Sequence, residues 1–295
     1  DGTVFFGSGG NNNYGDTFIT NVEITGGTLD MDQSNKAMNI SGEINIETSG
    51  SLILSSQIGG DINLAGDLNI DGGTINTNDR QITFNGSQPQ TVDGGSSALI
   101  INFMRFANTS ASSPAVTLSG DIVVVNQLDL SDGILQMDGS STITMSNGAV
   151  LVGGSSDSYV ITAGSSSFSY VDVAPTSQVV FPFGTFDYYT PATLTNTSGP
   201  TETFSGSVFA EIPSEANDPG KTVLAVWDIN ENSVGGNVVD LTLQWNELME
   251  RPLFDRNSTV VKLPCRYVLI TTSPLARRSC APRACRAMRQ GILCQ

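Results

Sequence analysis

The sequence predicts an all-β protein: a right-handed parallel β-helix, or β-solenoid, with about three short strands per coil, followed by a small β-sandwich-like module. Three observations predict it. Apolar residues recur in i, i+2 pairs along the first half of the chain, whole phrases return at fixed spacing, and the Ala/Leu/Glu/Lys-rich stretches that make helices are missing.

The pairs set the coil. Val22/Ile24, Leu29/Met31, Met38/Ile40, Ile44/Ile46, Leu52/Leu54, Ile62/Leu64 and Leu68/Ile70 each place two side chains on one face of a short strand. Every third pair returns after 22 to 24 residues, at Val22, Ile44 and Leu68, which fits three strands per coil. One coil alone cannot bury its inward residues. Stacked coils hydrogen-bond to each other and share one apolar column, while Asn, Asp, Thr and Ser keep the outer walls wet.

The phrases agree. VEITGGTLD at 22–30 matches LNIDGGTIN at 68–76. GDINLAGDLNI at 60–70 matches GDIVVVNQLDL at 120–130, and LNIDGGTIN matches LDLSDGILQ at 128–136, which reads as the same register sixty residues on. Six or seven coils are expected between about residues 20 and 165, with residues 1–19 a lead-in or partial coil. Near residue 175 the pattern changes. VVFPFGTFDYYTPATLTNTSG at 179–199 combines Pro with aromatics, and longer alternating strands follow at 203–212, 222–229 and 238–247. These predict a β-sandwich-like module over 171–260, after a β-helix over 20–170.

Charge divides the chain differently. The first 260 residues hold six basic and all 29 acidic residues, a net of −23. The last 35 hold seven basic residues and all four cysteines (Cys265, Cys280, Cys285, Cys294), a net of +7. An acidic body is a poor partner for nucleic acid or an anionic membrane, because phosphate binding needs Lys and Arg. No apolar run approaches the ~20 residues of a membrane-spanning helix. No signal peptide is visible and the chain opens on Asp1, as expected of a mature protein or an internal fragment.

The phrases GDLNIDGGTINTNDRQITFNGSQPQTVDG, FPFGT with YYTPATLTNTSG, and VWDIN with VDLTLQWNE and FDRN resemble large secreted surface proteins of Bacteroidota-type bacteria. In those proteins a parallel β-helix stalk precedes a β-sandwich module and often a type IX secretion sorting domain. The resemblance covers about residues 20–258. It implies an extracellular, adhesin-like or structural role at the cell surface, with surface polysaccharide or another cell-surface protein as partner. It supplies no catalytic residues to carry over. The basic tail at 261–295 departs from it in charge, cysteine use and pattern together, and reads as disordered or as an out-of-frame continuation. A genuine basic tail is the alternative.

The absence of histidine removes Ser-His-Asp and Cys-His catalysis and the common His-bearing zinc sites. The tail cysteines, spaced 15, 5 and 9, lack the C-x2-C pair of a zinc site but would permit disulfides outside the cell. A glycosidase on the wall would need paired carboxylates, for which Asp61, Asp67, Asp71, Asp121, Asp129 and Asp132 are the candidates. Their turn contexts explain them better, since Asp bonds its own backbone there. A lyase would also need a cation, and the coil region offers only Lys36, Arg80 and Arg105. Calcium is the one cofactor the oxygen donors suggest, at Asp30/Asp32 or Asp129/Asp132. No EF-hand loop supports it. GSGGNNNYG at 7–15 reads as a loop, not a phosphate cradle, and TIT at 142–144 and TLT at 193–195 are too isolated for a threonine ladder. Tyr188 and Tyr189 are the candidate glycan contacts. Trp227 and Trp245, in alternating strands, are expected in the core. The chain is therefore expected to be a non-catalytic structural or adhesive segment. A carbohydrate-binding β-helix is the second reading and a polysaccharide lyase or glycosidase the third.

Overall fold

A computed structural model describes the backbone of residues 3–5, 16–211, 219–233, 235–256, 260–263, 266–269 and 293–294. The chain forms two compact units, Asp1–Ser166 and Ser167–Gln295.

The first unit is a β-solenoid of about seven turns. Its strands stack in three parallel walls. Wall A holds Thr3–Phe5, Gly27–Asp30, Gly50–Ile53 and Thr74–Asn76. Wall B begins with Thr17–Ile19, Met38–Ile40, Ile62–Leu64 and Gln81–Phe84. Wall C holds Val22–Ile24, Ile44–Glu47, Leu68–Asp71, Gln90–Asp93, Val116–Ser119, Leu135–Met137 and Val160–Ile161. The lead-in thus contributes strands to walls A and B.

Register turns the i, i+2 pairs into continuous columns. Val22, Ile44, Leu68, Val92, Leu118 and Met137 stand over one another on wall C, all buried. On wall B the columns are Met38, Ile62, Ile82, Met104, Leu128 and Ile40, Leu64, Phe84, Phe106, Leu130. Phe84 and Phe106 stack with ring centroids 5.2 Å apart at 19°. A parallel register is what lets like side chains repeat at the ~4.8 Å strand spacing without clash.

Three short strands per coil hold through Phe84. From Leu99 onward two of them run together. Leu99–Ala107 and Ile122–Asp132 are nine and eleven residues long, and Thr142–Met145 and Val150–Gly153 both pair with the latter. The reason lies at the corner 77–80, where Asn78 and Asp79 adopt positive φ. Asn102 is the single residue that meets this corner from the coil above. Its N–H donates to Thr77 Oγ1 at 3.1 Å and its side-chain amide to Asp79 Oδ1 at 2.6 Å. A four-residue corner is replaced by one residue, so the strands on either side become one.

The two kinds of phrase repeat therefore differ. VEITGGTLD and LNIDGGTIN do share a register, Val22 with Leu68 through Ile44 and Thr28 with Thr74 through Ser51. The sixty-residue match does not. Ile62 stands in the wall B column that reaches Leu128, whereas its sequence counterpart Ile122 pairs with Leu99. Leu68 is on wall C and its counterpart Leu128 on wall B. Every wall demands the same alternation and the same polar turn, so equal phrases arise one wall apart.

The second unit starts at Ser167, four residues before the expected boundary, because Ser167–Val173 already pairs antiparallel with Glu202–Phe209. Val226–Glu231 completes that sheet. Gln178–Phe181, Ala192–Ser198 and Val238–Leu243 form a second antiparallel sheet. Phe168 and Tyr170 of the first sheet pack edge-on against Phe181 at 6.3 and 5.4 Å, so the two sheets face each other over an aromatic core. Trp227 is 1% exposed and donates its indole N–H to Thr190 O at 2.9 Å. Trp245 is half-buried, 6.2 Å from Trp227, and bonds Glu250, which Arg256 also holds at 2.9 Å. Of the basic tail, only the backbones of three short antiparallel strands are described: Val260–Leu263, Arg266–Leu269 and Leu293–Cys294. The rest, with Cys265, Cys280 and Cys285, lies outside the described residues.

Tyr170 gives this unit an alkaline sensitivity. Burial, with the nearby Tyr189 adding to it, raises its pKa far above that of a free tyrosine, and its hydroxyl donates to Val180 O at 2.6 Å. The neutral form is stabilised by folding. That stability is complete below the unfolded value near 10 and is lost as pH rises toward the folded value. Denaturation midpoints above about pH 10 should fall less steeply in Tyr170→Phe than in the parent; equal slopes would remove Tyr170 as the cause.

Candidate functional site

An outward groove of about 330 Å³ lies on the first unit where wall B turns toward wall C. Two columns line it. In the wall, Phe18, Asn39 and Asn63 stand in register on successive strands, pointing out because their neighbours Ile19, Ile40 and Leu64 point in. At the corner, Thr20, Ser41, Ala65 and Asn85 each follow an inward residue by one position.

The corner owes its shape to glycine. Ser41, Ala65 and Asn85 are each followed by one. A Cβ on Gly66 would collide with the carbonyl of Gly42, and one on Gly86 would come within 2.6 Å of Ala65 O. Successive coils approach too closely there for any side chain, so the floor stays low and flat. Above it, Phe18 is 80% exposed. Asn63 donates to Asn39 Oδ1 at 2.9 Å, forming an amide ladder that holds both side chains in a fixed orientation. An amide has four bonding positions, and this bond uses one of those on Asn63. None of the nine lining residues is ionisable.

Five of the six carboxylates weighed for catalysis make bonds within the solenoid, and the sixth, Asp71, is exposed, its backbone carbonyl accepting from Thr48. Asp61 accepts the N–H of Gln81 at 2.9 Å, Asp67 that of Thr91 at 2.6 Å and Asp121 that of Thr142 at 2.9 Å, in each case from the coil above. Asn21 does the same for Glu43 at 3.1 Å. This is the structural meaning of the recurring Gly-Asp before a strand: the Asx side chain satisfies the amide that enters the next coil's strand. Asp129 pairs with Arg105 at 3.4 Å and accepts from Ser131. Asp132 accepts from Gly133 N–H. At Asp138, burial acts to raise the pKa but is outweighed by bonds from Ser140 and Ser141, so the value is lowered. Asp61→Ala and Asp67→Ala should each cost about 1–2 kcal/mol, with Asp→Asn milder because the amide oxygen still accepts. Urea midpoints measure this, and an Asn variant as weak as the Ala variant would contradict it.

The calcium candidates are used similarly. Asp30 Oδ1 accepts from Asp32 N–H at 2.7 Å across a tight turn in which Asp32 has φ 49°. Among the described residues no group of three or more His, Cys, Asp or Glu side chains converges.

Tyr188 and Tyr189 lie in the second unit, on a hairpin closed by Thr185 N–H to Tyr188 O and Thr190 N–H to Phe183 O, both 2.8 Å. Both rings are half-buried, and burial raises the Tyr189 pKa. The exposed ring at that tip is Phe186. The two tyrosines chosen from the sequence are thus less exposed than their neighbour Phe186. It missed Phe18, Asn39 and Asn63 altogether. Their signal was present: an Asn at the outward position of MNI and of INL, 24 residues apart, the coil spacing of that wall. Among the described residues no helix is long and apolar enough to cross a membrane. Comparison with protein-family models, with curated proteins and with solved structures finds no match.

Proposed function

We propose that this chain is a non-catalytic structural and adhesive segment of a secreted bacterial cell-surface protein. In this reading the solenoid is a rigid spacer and the antiparallel unit an interaction module. The observation that carries it is the use of the polar wall. Asp61, Asp67 and Asp121 tie one coil to the next, and Asp129 is held by Arg105 and Ser131, so these carboxylates serve the stack rather than an open cleft. Unbroken apolar columns from Val22 to Met137 give the unit stiffness without a hinge.

The acidic, histidine-free composition and the resemblance of its phrases to those of secreted surface proteins support the location. Labelling intact producing cells with an antibody against the solenoid tests it. Signal on unpermeabilised cells that external protease removes is the expected result. Signal appearing only after permeabilisation would reject the reading. A carbohydrate-binding role is favoured over catalysis by one feature, the uncharged groove beside Phe18.

A further inference from the structure

We infer that the groove beside Phe18 binds a neutral polysaccharide, with a sugar ring stacked on Phe18 and hydroxyls bonded by Asn63 and Asn85. The inference rests on the adhesive reading and gives it a contact site.

The residues select the ligand class by elimination. An exposed phenyl ring offers a flat apolar face that matches the C–H face of a pyranose. Outward amides beside it provide donors and acceptors in pairs, as vicinal hydroxyls require. The groove follows the stacking direction. From Phe18 to Asn85 it crosses three coil steps of about 4.8 Å, or about 14 Å, enough for a short run of sugars. An extended peptide would need an open strand edge; Thr17–Ile19 ends the sheet, but Met38–Ile40, Ile62–Leu64 and Gln81–Phe84, which carry the rest of the groove, are each paired on both sides and offer a peptide no backbone to pair with. An apolar helix would need a continuous apolar trough, whereas the amides of Asn39, Asn63 and Asn85 and the Ser41 hydroxyl interrupt the apolar surface of this one. Nucleic acid would need Lys or Arg, and the lining has none. An acidic glycan would meet no cation in the groove and a first unit that carries seventeen acidic and three basic residues, a net of −14. A neutral glycan meets none of these objections.

The ladder also accounts for specificity without closure. Asn63 is oriented by its bond to Asn39, and the corner backbone is fixed by Ser41 N–H to Ile19 O at 3.0 Å and Asn85 N–H to Leu64 O at 2.9 Å. The site is therefore set before the ligand arrives, which limits the entropy lost on binding.

The test is calorimetric titration of the full chain with cellohexaose, xylohexaose, mannohexaose, laminarihexaose and maltohexaose, with a galacturonate hexamer as the acidic comparison. At least one neutral hexamer should bind in the millimolar range or tighter, and the galacturonate should not. Phe18→Ala should weaken that binding by about tenfold or more, and Asn63→Ala by a few-fold, while circular dichroism and melting stay at parent values. Phe186→Ala, at the tip of the other unit, should leave affinity unchanged. Binding that survives Phe18→Ala, binding lost in Phe186→Ala, preference for galacturonate, or no binding to any neutral hexamer would each overturn the site. Those outcomes leave the spacer reading intact, which stands or falls by surface labelling and by the absence of cleavage.

Discussion

Replacing Phe84 by alanine should destabilise the solenoid by about 3–5 kcal/mol. Phe84 is fully buried and lies in the middle of the wall B column, between Leu64 and Phe106. Removing its ring loses the transfer free energy of a large apolar side chain and leaves a cavity. Coils fixed by parallel backbone bonds above and below have little freedom to collapse into it. The stacked pair with Phe106 at 5.2 Å adds a term that Leu in place of Phe would only partly recover. Phe84→Leu should cost clearly less than Phe84→Ala, and Phe84→Ala with Phe106→Ala less than the sum of the two. Denaturant midpoints at constant m-value check the ranking. A Phe84→Ala cost below about 1 kcal/mol would mean that the column is not packed as described.

Gln90→Leu should cost about 2–4 kcal/mol although leucine suits a core better by every hydrophobic measure. Gln90 is 2% exposed and stands in the inward column of wall C that continues as Val116, Leu135 and Val160. It holds that place because the corner beneath it has backbone groups to satisfy. Its Nε2 donates to Leu64 O at 3.0 Å and to Gly66 O, and its Oε1 accepts from Gly86 N–H at 2.9 Å and from Asn108 Nδ2 at 2.8 Å. All four bonding positions of the amide are used. Leucine would strip Gly66 O and Gly86 N–H of this partner, while Leu64 O keeps Asn85 N–H and Asn108 Nδ2 keeps Gln88 O; each unmet buried group costs on the order of 1–3 kcal/mol. Gln90→Glu should also be harmful, because a carboxylate cannot donate to the two carbonyls. A Gln90→Leu variant as stable as the parent would show that water reaches this corner.

These two residues also mark what the sequence could and could not disclose. Phe84 was not among the pairs read from the sequence, but it follows their rule, two residues after buried Ile82, because a hydrophobic alternation of period two needs only the strand's own geometry. The same logic exposed Val22, Ile44 and Leu68 as one column. Gln90 was not legible. Its value comes from Leu64 and Gly66, one coil away, and no local pattern records that. The merging of walls A and B after Phe84 was hidden for a related reason: Asn102 looks like any polar residue within an apolar run until the corner beneath it is known. The sixty-residue phrase match misled because alternation specifies a face but not a wall. The Gly-Asp phrases were recognised as turns, yet their bond to the next coil appears only once the coils are stacked. At the candidate site the reading turned on exposure. Tyr188 and Tyr189 were chosen for chemistry, whereas the geometry sets Phe18 on an open wall and half-buries both tyrosines.

An adhesive solenoid without catalysis should hold a polysaccharide and leave it uncut. Incubating the full chain with the neutral polysaccharide it retains best and with polygalacturonate tests this most directly. Retention and the appearance of new reducing or unsaturated ends are followed together. Retention of the neutral polymer with no new ends on either is the predicted result. New ends accumulating in proportion to the amount of the chain, from either polymer, would contradict it.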